Sequence, residues 1–217
     1  MELPIKDRTM AGQALAQALE SYRDREAVVV LGLPRGGVPV AYEVAEALNA
    51  RLDLILVRKL GTPGQEELAM GAIASGGIRV LNEDVVSSLR ISDEAIEQVA
   101  AEEQRELERR ERAYRGLRPR PEIARKCVVL VDDGVATGAT MRAAIAALRQ
   151  QNPARVIVAV PVAPPDTVEI LRGEADEVIF LARPEPFMAI SRWYTDFAQV
   201  SEEEVKQLLG KAWGNES

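Results

Sequence analysis

Val128-Val129-Leu130-Val131 runs without a break into Asp132-Asp133-Gly134-Val135-Ala136-Thr137-Gly138-Ala139-Thr140. A run of branched aliphatic residues with no polar alternation suits a strand buried on both faces, the environment found in parallel sheets covered by helices. The abrupt switch to acids, glycines and threonines ends the strand and puts polar chemistry at its carboxyl end. Residues 141–149 are alanine-rich, with Ile145 and Leu148 three apart, so the loop leads straight into a helix. Further aliphatic runs at 27–33, 52–57, 155–160 and 177–181 alternate with helical patterns. The fold class expected is therefore α/β, a doubly wound, mainly parallel sheet of about five strands with right-handed crossovers.

A loop between a buried strand and a helix is an anion site. Its N–H groups and those of the first helical turn lack partners, Gly134 and Gly138 allow close approach, and the Thr137 and Thr140 hydroxyls add donors. Asp132 and Asp133 would repel that anion unless they face another part of the same ligand. Sugar hydroxyls, or a magnesium ion shared with the ligand, are the natural partners of such a pair. The loop ends Gly138-Ala139-Thr140 where a Walker A loop needs Gly-Lys-Ser/Thr, and no Gly-x-Gly-x-x-Gly follows a strand. Nucleoside triphosphatase and dinucleotide-binding readings are disfavoured.

Residues 128–140 resemble the phosphoribosyl diphosphate (PRPP) motif of type I phosphoribosyltransferases, in which hydrophobic residues precede two acids and a loop ending Thr-Gly-x-Thr. The resemblance implies that Asp132 and Asp133 hold the ribose hydroxyls. It further implies that Gly134, Val135, Ala136, Thr137, Gly138, Ala139 and Thr140 wrap the 5′-phosphate.

Two other loops are candidates for the same rim. Pro34-Arg35-Gly36-Gly37 offers bare amides and a guanidinium that suit a diphosphate, although the same residues also suit a plain βα turn with a solvated arginine. In the family, the loop at this position binds diphosphate, often through a non-proline cis peptide. The run 52–57 reads as a strand ending in Arg58-Lys59, of which at least one is expected to face diphosphate. With Arg35 and magnesium, Lys59 would then stabilise the departing charge, making Asp132, Asp133, Arg35 and Lys59 the catalytic candidates.

Pro63-Gly64 and the Gly76-Gly77 hairpin signature mark a loop and ribbon suited to a lid, and Ser92 opens a long charged helix to about Arg115. Residues 62–120 read as an insertion into one domain spanning 1–217. Segment 184–200 reads as a small C-terminal hood that concentrates Phe187, Trp193 and Tyr194 in a chain only 4% aromatic. These aromatics are acceptor-binding candidates as a base platform, or else anchors on the core. By the resemblance, Asp196 would join Asp132 and Asp133 around magnesium, the one cofactor expected.

A net charge of −7 argues against a general nucleic-acid binder. With no apolar run long enough to span a bilayer and no signal-peptide pattern, a cytoplasmic protein with no membrane partner is expected. The single cysteine, Cys127, and the absence of histidine exclude the usual zinc sites and histidine general-base chemistry. The expected function is magnesium-dependent transfer of the phosphoribosyl group from PRPP to a small nitrogenous acceptor, a nucleobase first among them, in nucleotide metabolism. A homodimer is one assembly state compatible with it. Ala136 cannot move a proton, which keeps open the alternative of a non-catalytic PRPP-binding regulator with the same fold.

Overall fold

A computed structural model describes residues 3–214 of the chain. Asp7 caps the first helix, α1 (Arg8–Ala18), accepting from the Met10 amide, and a 3-10 turn at Glu20–Tyr22 follows. β1 (Val28–Gly32), α2 (Gly37–Leu48) and β2 (Arg51–Leu54) form the first crossover unit. The chain then leaves the parallel sheet for β3 (Val57–Thr62), β4 (Gln65–Ala74), β5 (Ile78–Leu81), α3 (Glu83–Leu89) and α4 (Asp93–Arg115). It returns with β6 (Cys127–Val131), α5 (Ala139–Arg149), β7 (Arg155–Val162), α6 (Pro165–Arg172) and β8 (Glu177–Ala182). A 3-10 turn at Ile190–Trp193 and α7 (Glu202–Gly214) complete it, with Ser201 Oγ accepting from the Glu204 amide.

The main sheet has five strands in the order β2-β1-β6-β7-β8, and every pairing is parallel. The doubly wound expectation holds, because an aliphatic strand with no polar face is stable only when both faces are covered. Successive β6 residues supply opposite layers. Val129 and Val131 join Val30, Leu52, Ile157, Val38, Val44 and Leu209 on one side. Val128 and Leu130 join Val29, Val158, Met141, Ile145 and Leu171 on the other. From β1 the chain winds towards β2, whereas from β6 it winds towards β7 and β8, so the switch point lies between β1 and β6. A crevice outside the carboxyl ends of the strands is expected there.

β3, β4 and β5 form a separate antiparallel sheet, packed against α4 on one side and α5 on the other. This corrects one expectation. The strand sought at 52–57 ends at Leu54, and Arg58 and Lys59 lie inside β3 rather than at a strand end on the parallel rim. The excursion therefore starts earlier than residue 62. The Gly76-Gly77 hairpin is present, both glycines having positive φ. Ser92 caps α4 by accepting from the Ala95 amide. Among the described residues no helix is long and apolar enough to cross a membrane.

Candidate active site

β6 delivers Asp132 and Asp133 at the crevice, and the loop beyond them is held from below. The Val135 amide donates to the Val162 carbonyl at 2.9 Å, and Thr167 Oγ1 donates to the Ala136 carbonyl at 2.7 Å. Gly138 sits in the left-handed region (φ 78°), where a side chain would be strained, and a Cβ there would stand 3.0 Å from Thr167 Cγ2. These anchors leave Ala136, Thr137, Ala139 and Thr140 exposed while Gly134, Val135 and Gly138 are buried. The loop residues predicted for phosphate thus lie together around the amino end of α5, where first-turn N–H groups have no intrahelical acceptor.

Across the switch point, the loop from β1 to α2 closes on the acids. The Pro34–Arg35 peptide is cis, as the resemblance implies. A Cβ on Gly36 would lie 2.0 Å from Asp133 Oδ2, and one on Gly37 would lie 2.7 Å from the Val131 carbonyl, so both glycines are demanded by contact. Arg35 is exposed, and its guanidinium makes no ion pair among the described residues. The first two loops therefore converge as their sequences suggest.

The acid pair is not symmetric. Asp133 is buried, and its Oδ2 accepts from Arg8 Nε at 2.8 Å with Arg8 Nη2 also 2.8 Å away. Asp132 is half-buried; its Oδ1 accepts from the Asp133 amide at 2.8 Å. Burial pushes the Asp133 carboxyl up from the ordinary range, against the pull of Arg8. Burial and then the neighbouring charge of Asp133 push Asp132 well up. Sequence reasoning missed Arg8, which lies 125 positions away in the first turn of an ordinary amphipathic helix. No local pattern distinguishes it from a solvated arginine.

The metal set predicted from three acids is corrected too. Among the described residues no three His, Cys, Asp or Glu side chains cluster to hold an ion. Asp196 is exposed and turned to its own segment, where its Oδ1 accepts from the Ala198 amide. A magnesium cage built by protein alone does not fit. A hard cation carried mainly by ligand oxygens, with Asp132 as its carboxylate, does fit, because magnesium commonly uses one or two carboxylates plus substrate phosphates.

Arg58 and Lys59 point apart, as neighbours on a strand must. Arg58 pairs with Glu103 of α4, an ion pair within the excursion. Lys59 lies 3.7 Å from Glu67 and lines a cavity of about 860 Å³ between the small sheet and α5, together with Ala139 and Thr140. It therefore approaches the phosphate end of the site from the ribbon. Glu66 and Glu67, the acids in the ribbon, are exposed on β4.

The hood packs on the amino-terminal segment. Ile5 and Tyr194 form a parallel bridge, the Ile5 amide donates to the Trp193 carbonyl, and the Asp196 amide donates to the Lys6 carbonyl. Tyr194 is buried, its ring centroid 4.9 Å from that of Phe197 and tilted 35° to it, and its hydroxyl donates to the Asp133 carbonyl at 2.7 Å. Burial raises its pKa further above that of a free phenol. Its acceptor-binding expectation is corrected, since a ring packed into the core cannot also be a base platform. Phe187 and Trp193 are partly buried beside Ile5, Ala11 and Val162, their ring centroids 6.3 Å apart.

Residues 5–180 match the phosphoribosyl transferase domain family. Two Mycobacterium tuberculosis proteins, from different strains and both provisionally named phosphoribosyl transferases, are 48% identical over 206 residues, covering 95% of this chain. That stretch is 46% of each of theirs, so the chain spans about half the length of these relatives. A Thermus thermophilus crystal structure superposes with a TM-score of 0.86 at 46% identity, covering 96% of this chain and 99% of that one.

Proposed function

The chain belongs to the phosphoribosyl transferase domain family, and from that premise we propose that it moves the 5-phosphoribosyl group of PRPP onto a nitrogen nucleophile and releases diphosphate. The observation that carries this reading is the meeting, at one switch-point crevice, of an exposed amide loop, an acid pair and a glycine-tight second loop. The amides and hydroxyls of 136–140 hold the 5′-phosphate, Asp132 takes the ribose hydroxyls, and Arg35 with the Gly36 amide takes the diphosphate, the Gly37 amide being held by the Leu33 carbonyl.

Little covalent chemistry falls to the protein. Holding the anomeric carbon against the acceptor, and shielding it beneath the hood and ribbon, converts binding energy into orientation and keeps water out. Arg35, from its exposed position, meets the charge that develops on the leaving diphosphate, and Lys59 adds a second cation from the ribbon. Magnesium, when bound with PRPP at Asp132, supplies further charge neutralisation on the leaving group. A nucleobase is the acceptor class favoured by the partly buried aromatic pair Phe187 and Trp193.

Ala136 supports a second reading, because its exposed methyl group stands in the loop with no titratable function. On that reading the protein binds PRPP and catalyses nothing. Diphosphate release measured with magnesium, PRPP and a panel of purines, pyrimidines and small amides separates the two. Acceptor-dependent release that stops when magnesium is chelated is the expected result. Tight PRPP binding without release from any acceptor would move the assignment to a regulator, and absent PRPP binding would remove both readings.

A further inference from the structure

Asp133 is where four distant segments meet. Its carbonyl accepts from Tyr194 of the hood, its carboxylate accepts from Arg8 of α1, and Gly36 of the second loop packs against the same oxygen. The Arg8 guanidinium reaches further: Nη1 donates to the Ala198 carbonyl at 2.8 Å, and the plane lies 4.0 Å from the Phe197 ring centroid. Both side chains of the pair are nearly out of solvent, 12% exposed for Arg8 and 11% for Asp133. Asp132 has no such cation, and its Oδ2 accepts from no protein group among the described residues.

A ligand with a phosphate and a diphosphate cannot readily sit beside two uncompensated carboxylates, since like charges in a partly dry site repel strongly. A buried arginine on one of them leaves a single negative group to meet sugar hydroxyls or a shared cation. We propose that the acid pair is divided: Asp132 faces the phosphoribosyl ligand, while Asp133 is a positioning residue clamped by Arg8, and the clamp seats segment 187–198 over the site. The ligand half of this statement rests on the PRPP reading; the seating of the segment does not.

Trp193 and Trp213 are the chain's two tryptophans, so Trp213→Phe leaves Trp193 as a fluorescent reporter of the segment. In that background Arg8→Met and Asp133→Asn are each expected to shift Trp193 emission to longer wavelength, and Arg8→Lys to shift it less. In calorimetric titrations with magnesium and PRPP, Asp132→Asn and Arg8→Met should each weaken binding by about thirtyfold or more, the scale of losing or unpairing one buried charge. Adding Asp133→Asn to Arg8→Met should recover affinity, because it removes the carboxylate that the first substitution set free; a merely damaged fold would not recover. Unchanged emission in both Arg8→Met and Asp133→Asn would overturn the clamp. So would an Asp133→Asn loss equal to that of Asp132→Asn with no recovery in the double variant. Emission shifts in a protein that never binds magnesium and PRPP would uphold the seating and remove the PRPP reading.

Discussion

A methyl group added at Gly36 would lie 2.0 Å from Asp133 Oδ2 and 2.7 Å from its Cγ, and the carboxylate has nowhere to go because Arg8 grips the same oxygen. Gly36→Ala must push either the second loop or the clamped acid out of place. The expected cost is about 1–3 kcal/mol of unfolding free energy, the usual scale of overpacking, together with weaker PRPP binding. Thermal melts with and without PRPP measure both effects. An alanine variant with wild-type stability and affinity would mean that the carboxylate is free to rotate away. The glycine pair beside Arg35 was legible in sequence as bare backbone, but its partner was not. What the glycines make room for is an acid nearly a hundred positions downstream.

At the scale of elements, α4 shows how charge can be structural. Arg115, in its last turn, is buried with Asp53 of β2: Nη2 lies 2.9 Å from Oδ1, and Nη1 donates to Oδ2 at 3.1 Å. Arg115 Nη2 also donates to the Leu54 carbonyl, and the Leu54 amide donates to Asp53 Oδ1. Burial pushes the Asp53 carboxyl up and the Arg115 guanidinium down, as expected when both ions lose water, and each partner opposes the other's shift. Arg115→Met should therefore cost roughly 3–5 kcal/mol, because it strands a buried carboxylate. Asp53→Leu combined with Arg115→Met should regain much of the loss, read from urea midpoints. Simply additive losses would show that the two side chains do not act as a pair. Hydropathy alone reads the second half of α4 as a solvated face, since Glu111 and Arg115 count as polar; both are buried, Arg115 paired with Asp53 of β2 and Glu111 accepting from Arg120 beyond the helix end. The partner of Arg58 was illegible for the same reason, Glu103 lying on α4.

For the whole molecule, stability should be graded from the parallel sheet outwards. Every residue of β1 is buried, and β6 and β7 are buried except at their first positions, between two apolar layers. The small sheet is half-exposed, and the first four residues of β4 are exposed. Native-state hydrogen exchange should find β1, β6 and β7 amides opening only with global unfolding, and β3–β5 amides opening at lower free energy. Equal protection in both sheets would contradict that order. Local features were legible along the chain: the doubly buried strand at 128–131, the cap at Ser92, and the glycine-rich amide loop opening α5. Strand periodicity, capping and turn chemistry act over a few residues, so they can be read in order. Which charges and rings meet is set by how the distant segments pack together. That packing brings Arg8 to Asp133, turns Arg58 to Glu103, buries Tyr194 against the Asp133 carbonyl, and leaves Asp196 apart from the acid pair. Coulombic and desolvation energies depend on distance and burial in space, and neither is written in the spacing of residues along a chain.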